Sequence, residues 1–87
     1  MFMVYWSTYI LKCADGTYYC GVAKDPKKRV IKYNSGRGAR YTSVRRPVIL
    51  VYSEKCKTYK LAIQREKQIK GWRKKKKENL IKYGKPV

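Results

Sequence analysis

Glu66 is the residue in this chain whose placement most needs explaining. It lies in a segment where Tyr59, Ala62, Glu66 and Ile69 are spaced by three, four and three, so a helix would carry its carboxylate on an otherwise apolar stripe. Burying a carboxylate alone costs roughly several kcal/mol, so an inward Glu66 must be paired or bound to a metal. Two solutions stand open: an internal ion pair, most simply with Arg29, or one Mg²⁺ or Mn²⁺ whose shell is completed by waters and substrate phosphate oxygens. Arg29 and Tyr33 are four apart, which on a helix puts a guanidinium and a phenol on one face. Tyr9 and Tyr19 sit in two tyrosine-rich runs joined by Asp15-Gly16.

Other chemistries are excluded. The chain has no histidine, which rules out Ser-His-Asp and Cys-His catalysis and removes the usual zinc ligands. Cys13, Cys20 and Cys56 are odd in number and form no CxxC pair, so they read as reduced, mostly buried side chains. The 87 residues carry 23 Lys+Arg against 5 Asp+Glu, a net charge of +18. So large an imbalance costs stability through self-repulsion and points to a polyanionic partner, nucleic acid before anything else. DNA is the first expectation and RNA the second, with no small-molecule cofactor; oligomeric state is left open. No apolar run approaches the length of a membrane-spanning helix, and Met1 to Val4 lead straight into the first strand. The expectation is one soluble, intracellular domain over residues 1–87, in the cytoplasm and able to reach the nucleoid.

The elements that must position these residues can be read in order. Strands over about Tyr5 to Cys13 and Thr17 to Val22 form a hairpin, for which two registers are open. A two-residue loop pairs Leu11 with Cys20 and puts Tyr9 and Tyr19 on opposite faces. A three-residue loop with Gly16 left-handed pairs Leu11 with Tyr19 and Tyr9 with Gly21, so both tyrosines share a face. A helix capped by Asp25 runs from Pro26 to Tyr33 or Asn34 and ends at Ser35-Gly36, with Val30 and Ile31 turned to the sheet and Lys28 left for solvent or phosphate. Gly36 to Pro47 is a basic loop without acids, in which Arg37, Arg40, Arg45 and Arg46 beside Tyr41 and Thr42 suit contact with a sugar-phosphate backbone. Val48 to Tyr52 is continuously apolar and predicts the central, most buried strand. A second long helix runs from a Thr58 cap to Gly71, and a basic one spans about 72–83. Lys67, Lys70 and Arg73 add phosphate contacts, and Lys74 to Lys77 form a solvated face with non-specific affinity.

Taken together, the segments STYILKCADGTYYCGV, KDPKKRVIKYN, RYTSVRRPVILVYSE and AIQREKQIKGW resemble the GIY-YIG nucleases, and in particular their small stand-alone members. The similarity spans about Val4 to Ile81. Tyr9 matches the tyrosine that ends the first motif, although Ser7-Thr8 replace Gly-Ile, and Tyr19-Cys20-Gly21 match YIG. Arg29 corresponds to the family's helix arginine, Tyr33 to a position held by histidine or tyrosine, and Glu66 to the metal-binding glutamate. Asn79 is the candidate for a late asparagine.

The resemblance implies an α+β fold with a three-stranded antiparallel sheet flanked by helices. It implies a divalent-metal-dependent endonuclease in which Glu66 binds one Mg²⁺ or Mn²⁺, Arg29 holds a phosphate oxygen, Tyr9 orients or deprotonates the attacking water, and Tyr19 and Tyr33 support it. That site requires the three-residue loop. With no separate recognition domain, cleavage selective for structure or strand is expected over base-specific readout. A catalytically inactive nucleic-acid-binding module, or a basic ribonucleoprotein component, is the alternative.

Overall fold

The computed structural model describes residues 5–37 and 40–85. The expectation for Met1 to Val4 therefore lies outside the described residues, as does part of the basic loop at Gly38 and Ala39. Strands β1 (Trp6–Cys13), β2 (Tyr18–Ala23) and β3 (Val48–Cys56) form an antiparallel sheet of order β2-β1-β3. Helix α1 (Pro26–Asn34) follows β2, α2 (Arg40–Ser43) precedes β3, and α3 (Tyr59–Lys70) and α4 (Lys74–Tyr83) complete the described chain.

The hairpin adopts the three-residue loop. Leu11 pairs with Tyr19 and Tyr9 with Gly21. Cys13 N donates to Thr17 O at 2.8 Å and Gly16 N to Cys13 O at 2.9 Å, after which the chain turns back through Gly16 at φ +84°. Glycine adopts that left-handed geometry without the clash a Cβ would bring. Asp15 stiffens the turn, its Oδ1 accepting from Thr17 N at 3.0 Å and Thr17 Oγ1 at 2.6 Å.

The central strand is β1, not the apolar run of β3. Both faces of β1 are buried: Tyr9, Leu11 and Cys13 join Ala23, Tyr33 and Val48 on one side, while Ile10 joins Cys20, Ile69 and Leu80 on the other. The continuous apolar run arises differently. The β1–β3 register shifts between Ile10 and Leu11, so Ile10 faces Tyr52 and Leu11 faces Leu50. This irregularity lets Val51 and Tyr52 both pack against the Ile10 cluster, whereas Ile49 stays 62% exposed. With Val48 and Leu50 on the Tyr9 side, the bulge lets consecutive apolar residues of an edge strand reach both faces, which accounts for the pattern.

The helices begin where expected. Asp25 Oδ1 accepts from the amides of Lys27 and Lys28, and Thr58 Oγ1 from that of Leu61. Only Val30 of the Val30-Ile31 pair packs on the core; Ile31 is 70% exposed, because successive residues on a helix point about 100° apart and one face suffices to cover the sheet. The basic loop is not structureless, since α2 lies within it. At its far end Asn34 of α1 fastens the start of β3, its Oδ1 accepting from Val48 N at 2.8 Å while its Nδ2 donates to Val48 O at 3.1 Å.

On the α3 side, Thr8 is fully buried and its Oγ1 donates to Ala62 O at 2.8 Å. This one bond lets a polar residue serve in the central strand against a helix backbone. Thr8→Val is expected to lower stability by about 1 kcal/mol, the usual net worth of such a bond, with Thr8→Ser recovering part of the loss in urea denaturation. A neutral Thr8→Val would show that the bond contributes nothing.

Candidate active site

Because the hairpin register puts Tyr9 and Tyr19 on one face, their rings meet α1. Tyr9 Oη lies 2.7 Å from Tyr33 Oη, buried between strand and helix. Tyr19 packs edge-on to Tyr33, with centroids 5.7 Å apart and planes at 80°. Gly21 is what allows this approach: a Cβ there would stand 2.6 Å from Tyr9 Cζ and closer still to Tyr9 Oη. A substituted residue at 21 would force the phenol out of place.

These phenols are not equally accessible. Tyr9 is fully buried and Tyr33 nearly so, whereas Tyr19 is half-buried on the edge strand. Burial, reinforced by the hydrogen bond to Tyr33, holds the Tyr9 phenol far above its ordinary value. Tyr19 is pushed up to about 12, first by burial, then by Tyr33 and by the charge of Glu66, with Arg29 pulling the other way. Both phenols therefore carry their protons at neutral pH, which suits them to donate hydrogen bonds. Of the three, Tyr19 is the one placed to meet an outside molecule.

Glu66 approaches from α3, which packs on β1 and β2. Its carboxylate acts on both Tyr19 and Cys20, neighbours on the edge strand. The apolar stripe is realised in part: Ala62 and Ile69 are fully buried and the Glu66 side chain is 16% exposed, but Tyr59 is 52% exposed and edge-on to Trp6. The ion pair is not with Arg29. Glu66 Oε1 instead contacts Lys70 Nζ at 3.0 Å, one turn along the same helix. Among the described residues no group of three acidic, histidine or cysteine side chains converges to hold a metal. The donor set fits a hard divalent cation that takes one protein carboxylate and fills its remaining positions with water and phosphate oxygens.

The residues expected to touch phosphate fall into three groups. Lys28, Arg37, Arg40, Lys67 and Arg73 are exposed, and so is Lys70 apart from its contact with Glu66. Arg45 and Arg46 are engaged in holding the loop. Arg45 Nε bridges to Asp15 Oδ2 at 3.0 Å, its Nη1 donates to Tyr41 O, and its guanidinium lies 3.9 Å from the Tyr41 ring centroid. Arg46 Nε donates to Ser43 O at 2.9 Å and its Nη1 to Asn34 O at 3.4 Å. Tyr41 stacks on Tyr19, with centroids 5.8 Å apart and planes at 27°. Thr42, expected on the surface, is fully buried, because α2 turns that side chain inward while leaving Tyr41 outside. Asn79 is half-buried on α4, whose Leu80 packs against the sheet face away from Tyr9.

Sequence reasoning missed the stack that runs from Asp15 through Arg45 and Tyr41 to Tyr19. Its signal was the lone acid of the hairpin turn, which had no evident partner until the basic loop folded over it. It missed Trp6 and Lys24 as well, whose ring and ammonium lie 5.1 Å apart.

A family model described as the GIY-YIG catalytic domain matches residues 5–79. A UPF0213 protein of Staphylococcus saprophyticus is 53% identical over 76 residues, covering 87% of this chain and 93% of that one. One from Staphylococcus aureus is 54% identical over 74 residues, covering 85% and 90%. Among solved structures, the UPF0213 protein BH0048 of Bacillus halodurans aligns with a TM-score of 0.57 at 36% identity, over 88% of this chain and 82% of that one. A protein of E. faecalis aligns at 0.61 and 39%, over 90% and 83%. Their fold is the α+β arrangement described above.

The raised phenol of Tyr19 has a pH consequence. Its pKa in the unfolded chain is the ordinary ~10, so between pH ~10 and about 12 the unfolded state has released a proton that the folded state keeps. Stability is thus lost as pH rises through that window, and Tyr19→Phe is expected to lose less. Urea denaturation of both proteins at pH 9 and pH 11 checks this; parallel losses would place Tyr19 outside the buried cluster.

Proposed function

The chain belongs to the GIY-YIG family, and on that premise we propose that it is a divalent-metal-dependent endonuclease that hydrolyses phosphodiester bonds in nucleic acid, DNA first. The observation that carries this reading is the position of Tyr19, a half-buried phenol that feels the charges of both Arg29 and Glu66 and rests on the Tyr9–Tyr33 pair. A charge of +18 supplies the attraction to a polyanion.

In this mechanism Glu66 holds one Mg²⁺ or Mn²⁺, which when bound supplies Lewis-acid stabilisation of the charge that develops on the phosphate. Arg29 hydrogen-bonds a non-bridging phosphate oxygen and offsets the same charge. Tyr19 fixes the attacking water through its phenol. Tyr9 is enclosed, so its part is to hold Tyr33, and through it the Tyr19 ring, rather than to touch water directly. Proton removal at Tyr19 becomes favourable only where positive charge outweighs burial, Tyr33 and the Glu66 field, which all oppose it. The exposed lysines and arginines bind the backbone without reading bases, so selectivity for structure or strand follows.

Lys70 must leave Glu66 for this site to load. An i,i+4 helix pair is worth only about 0.3–0.5 kcal/mol, and the Lys70 side chain is half-exposed, so the release is easy. Lys70→Met should tighten Mn²⁺ binding about twofold, the equivalent of that energy, as read by electron paramagnetic resonance of free Mn²⁺. Weaker binding in Lys70→Met would mean that the lysine does not compete for Glu66.

Cleavage is tested with labelled single-stranded, duplex, flapped and branched DNA and their RNA counterparts, with Mg²⁺ or Mn²⁺. Glu66→Gln and Arg29→Ala should each lower the rate by ~10²-fold or more, as loss of a transition-state contact does, while affinity for DNA changes little. Salt-sensitive binding with no cleavage by the unmutated protein at any metal concentration would point to a binding module instead. Unchanged cleavage by Glu66→Gln would sink the assignment.

A further inference from the structure

Beside the phenol cluster lies a cavity of about 420 Å³, lined by Trp6 and Ala23 from the sheet, Lys24 and Asp25 from the turn that follows, and Lys28, Arg29 and Lys32 from α1. Its size falls within the range of small-ligand sites. Arg29 belongs to both places: it lines the cavity and acts on Tyr9 and Tyr19. The walls combine an indole, half-buried and propped edge-on by Tyr59 at 4.7 Å, with four cations. The one acid, Asp25, is engaged through Oδ1 in capping α1.

We infer that this cavity receives an unpaired nucleotide next to the scissile phosphate, its base against Trp6 and its phosphate on Lys24 and Lys28. The inference rests on the endonuclease reading above and adds to it a substrate class, single-stranded or extrahelical nucleotides. A cation cluster alone would suit any phosphate. The indole is what selects, since a base inside a duplex has both faces covered by its neighbours and cannot reach an aromatic wall, whereas an unpaired base offers a free face. Lys24 Nζ covers the Trp6 ring at 5.1 Å in the free protein. It stands there as a removable cover: the ammonium moves to a phosphate when a base takes its place, exchanging a cation–π contact for base stacking and a charge-assisted hydrogen bond. Because Arg29 is shared, a nucleotide seated here presents its neighbouring phosphate to the same guanidinium that acts on Tyr19.

Trp6 can report its own occupancy. The chain has two tryptophans, so Trp72→Phe leaves Trp6 as the only indole. In EDTA, where cleavage is absent, this protein is titrated with a 12-nucleotide single strand, the same sequence as a duplex, an abasic strand of equal length, and inorganic phosphate. The single strand should quench Trp6, with duplex, abasic strand and phosphate doing so much less. Trp6→Ala should weaken single-strand binding about tenfold, the loss expected of one stacked base, and leave duplex affinity within about twofold, with Trp6→Phe recovering most of the difference. Equal quenching by the abasic strand or by phosphate would leave only an anion site and overturn the proposal, as would equal quenching by the duplex. The titration needs no substitution at Trp6, so it decides even if Trp6→Ala fails to fold. Selective quenching without cleavage in Mn²⁺ would count against the endonuclease reading alone; cleavage without selective quenching would count against the nucleotide site alone.

Discussion

The close approach of the Tyr9 phenol to the Gly21 backbone is the constraint on which the rest of the structure depends. It exists only in the register that pairs those two residues, and that register exists only because Gly16 can take a left-handed turn. A slip of one residue would send every side chain of β2 to the other face. Tyr19 would then leave Tyr33, and Cys20 would leave the Ile10 cluster. One turn thus sets the composition of both cores together with the phenol cluster.

Electrostatics act on this frame in opposite directions at different ranges. Over the whole molecule, a charge of +18 opposes compaction and draws in polyanions. At the site, burial dominates, followed by the neighbouring Tyr33 and then the Glu66 carboxylate, so Tyr19 is harder to ionise despite the surrounding cations. Desolvation wins because it acts on the phenol directly, whereas most of the lysines lie exposed and are screened by solvent. The excess positive charge therefore serves attraction to a backbone better than it serves activation of a tyrosine. The Glu66–Lys70 pair shows the same division, with a partly buried carboxylate held by an exposed and readily released cation.

The basic loop illustrates why residue type alone does not assign a role. Arg45 and Arg46 look like phosphate ligands, and in the fold they fasten the loop to the hairpin, to Tyr41 and to the end of α1. The result is a Tyr41 ring stacked on Tyr19 and held by the Arg45 guanidinium. An arginine binds whichever carboxylate, carbonyl or ring the chain brings to it, and Asp15, thirty residues away, could be identified as that partner only in three dimensions.

Much was legible in one dimension. The helix caps at Asp25 and Thr58, the stop at Gly71, the left-handed Gly16 and the inward side of Glu66 each follow from a local rule that the fold obeys. The motif order carried the family. What the sequence could not settle were matters of competition between distant partners. Val48 to Tyr52 reads as a central strand, yet β1 took the centre because it offered burial on both faces, and a register shift absorbed the surplus apolar residues at the edge. For Glu66 the sequence offered an ion pair with Arg29 or a metal ion, and the carboxylate instead contacts Lys70, one turn along its own helix. Local conformation is fixed by neighbours in the chain and was readable there. Pairing and burial depend on which of several groups, near or distant in the chain, the packed fold holds at closest range, and only the tertiary structure decides that.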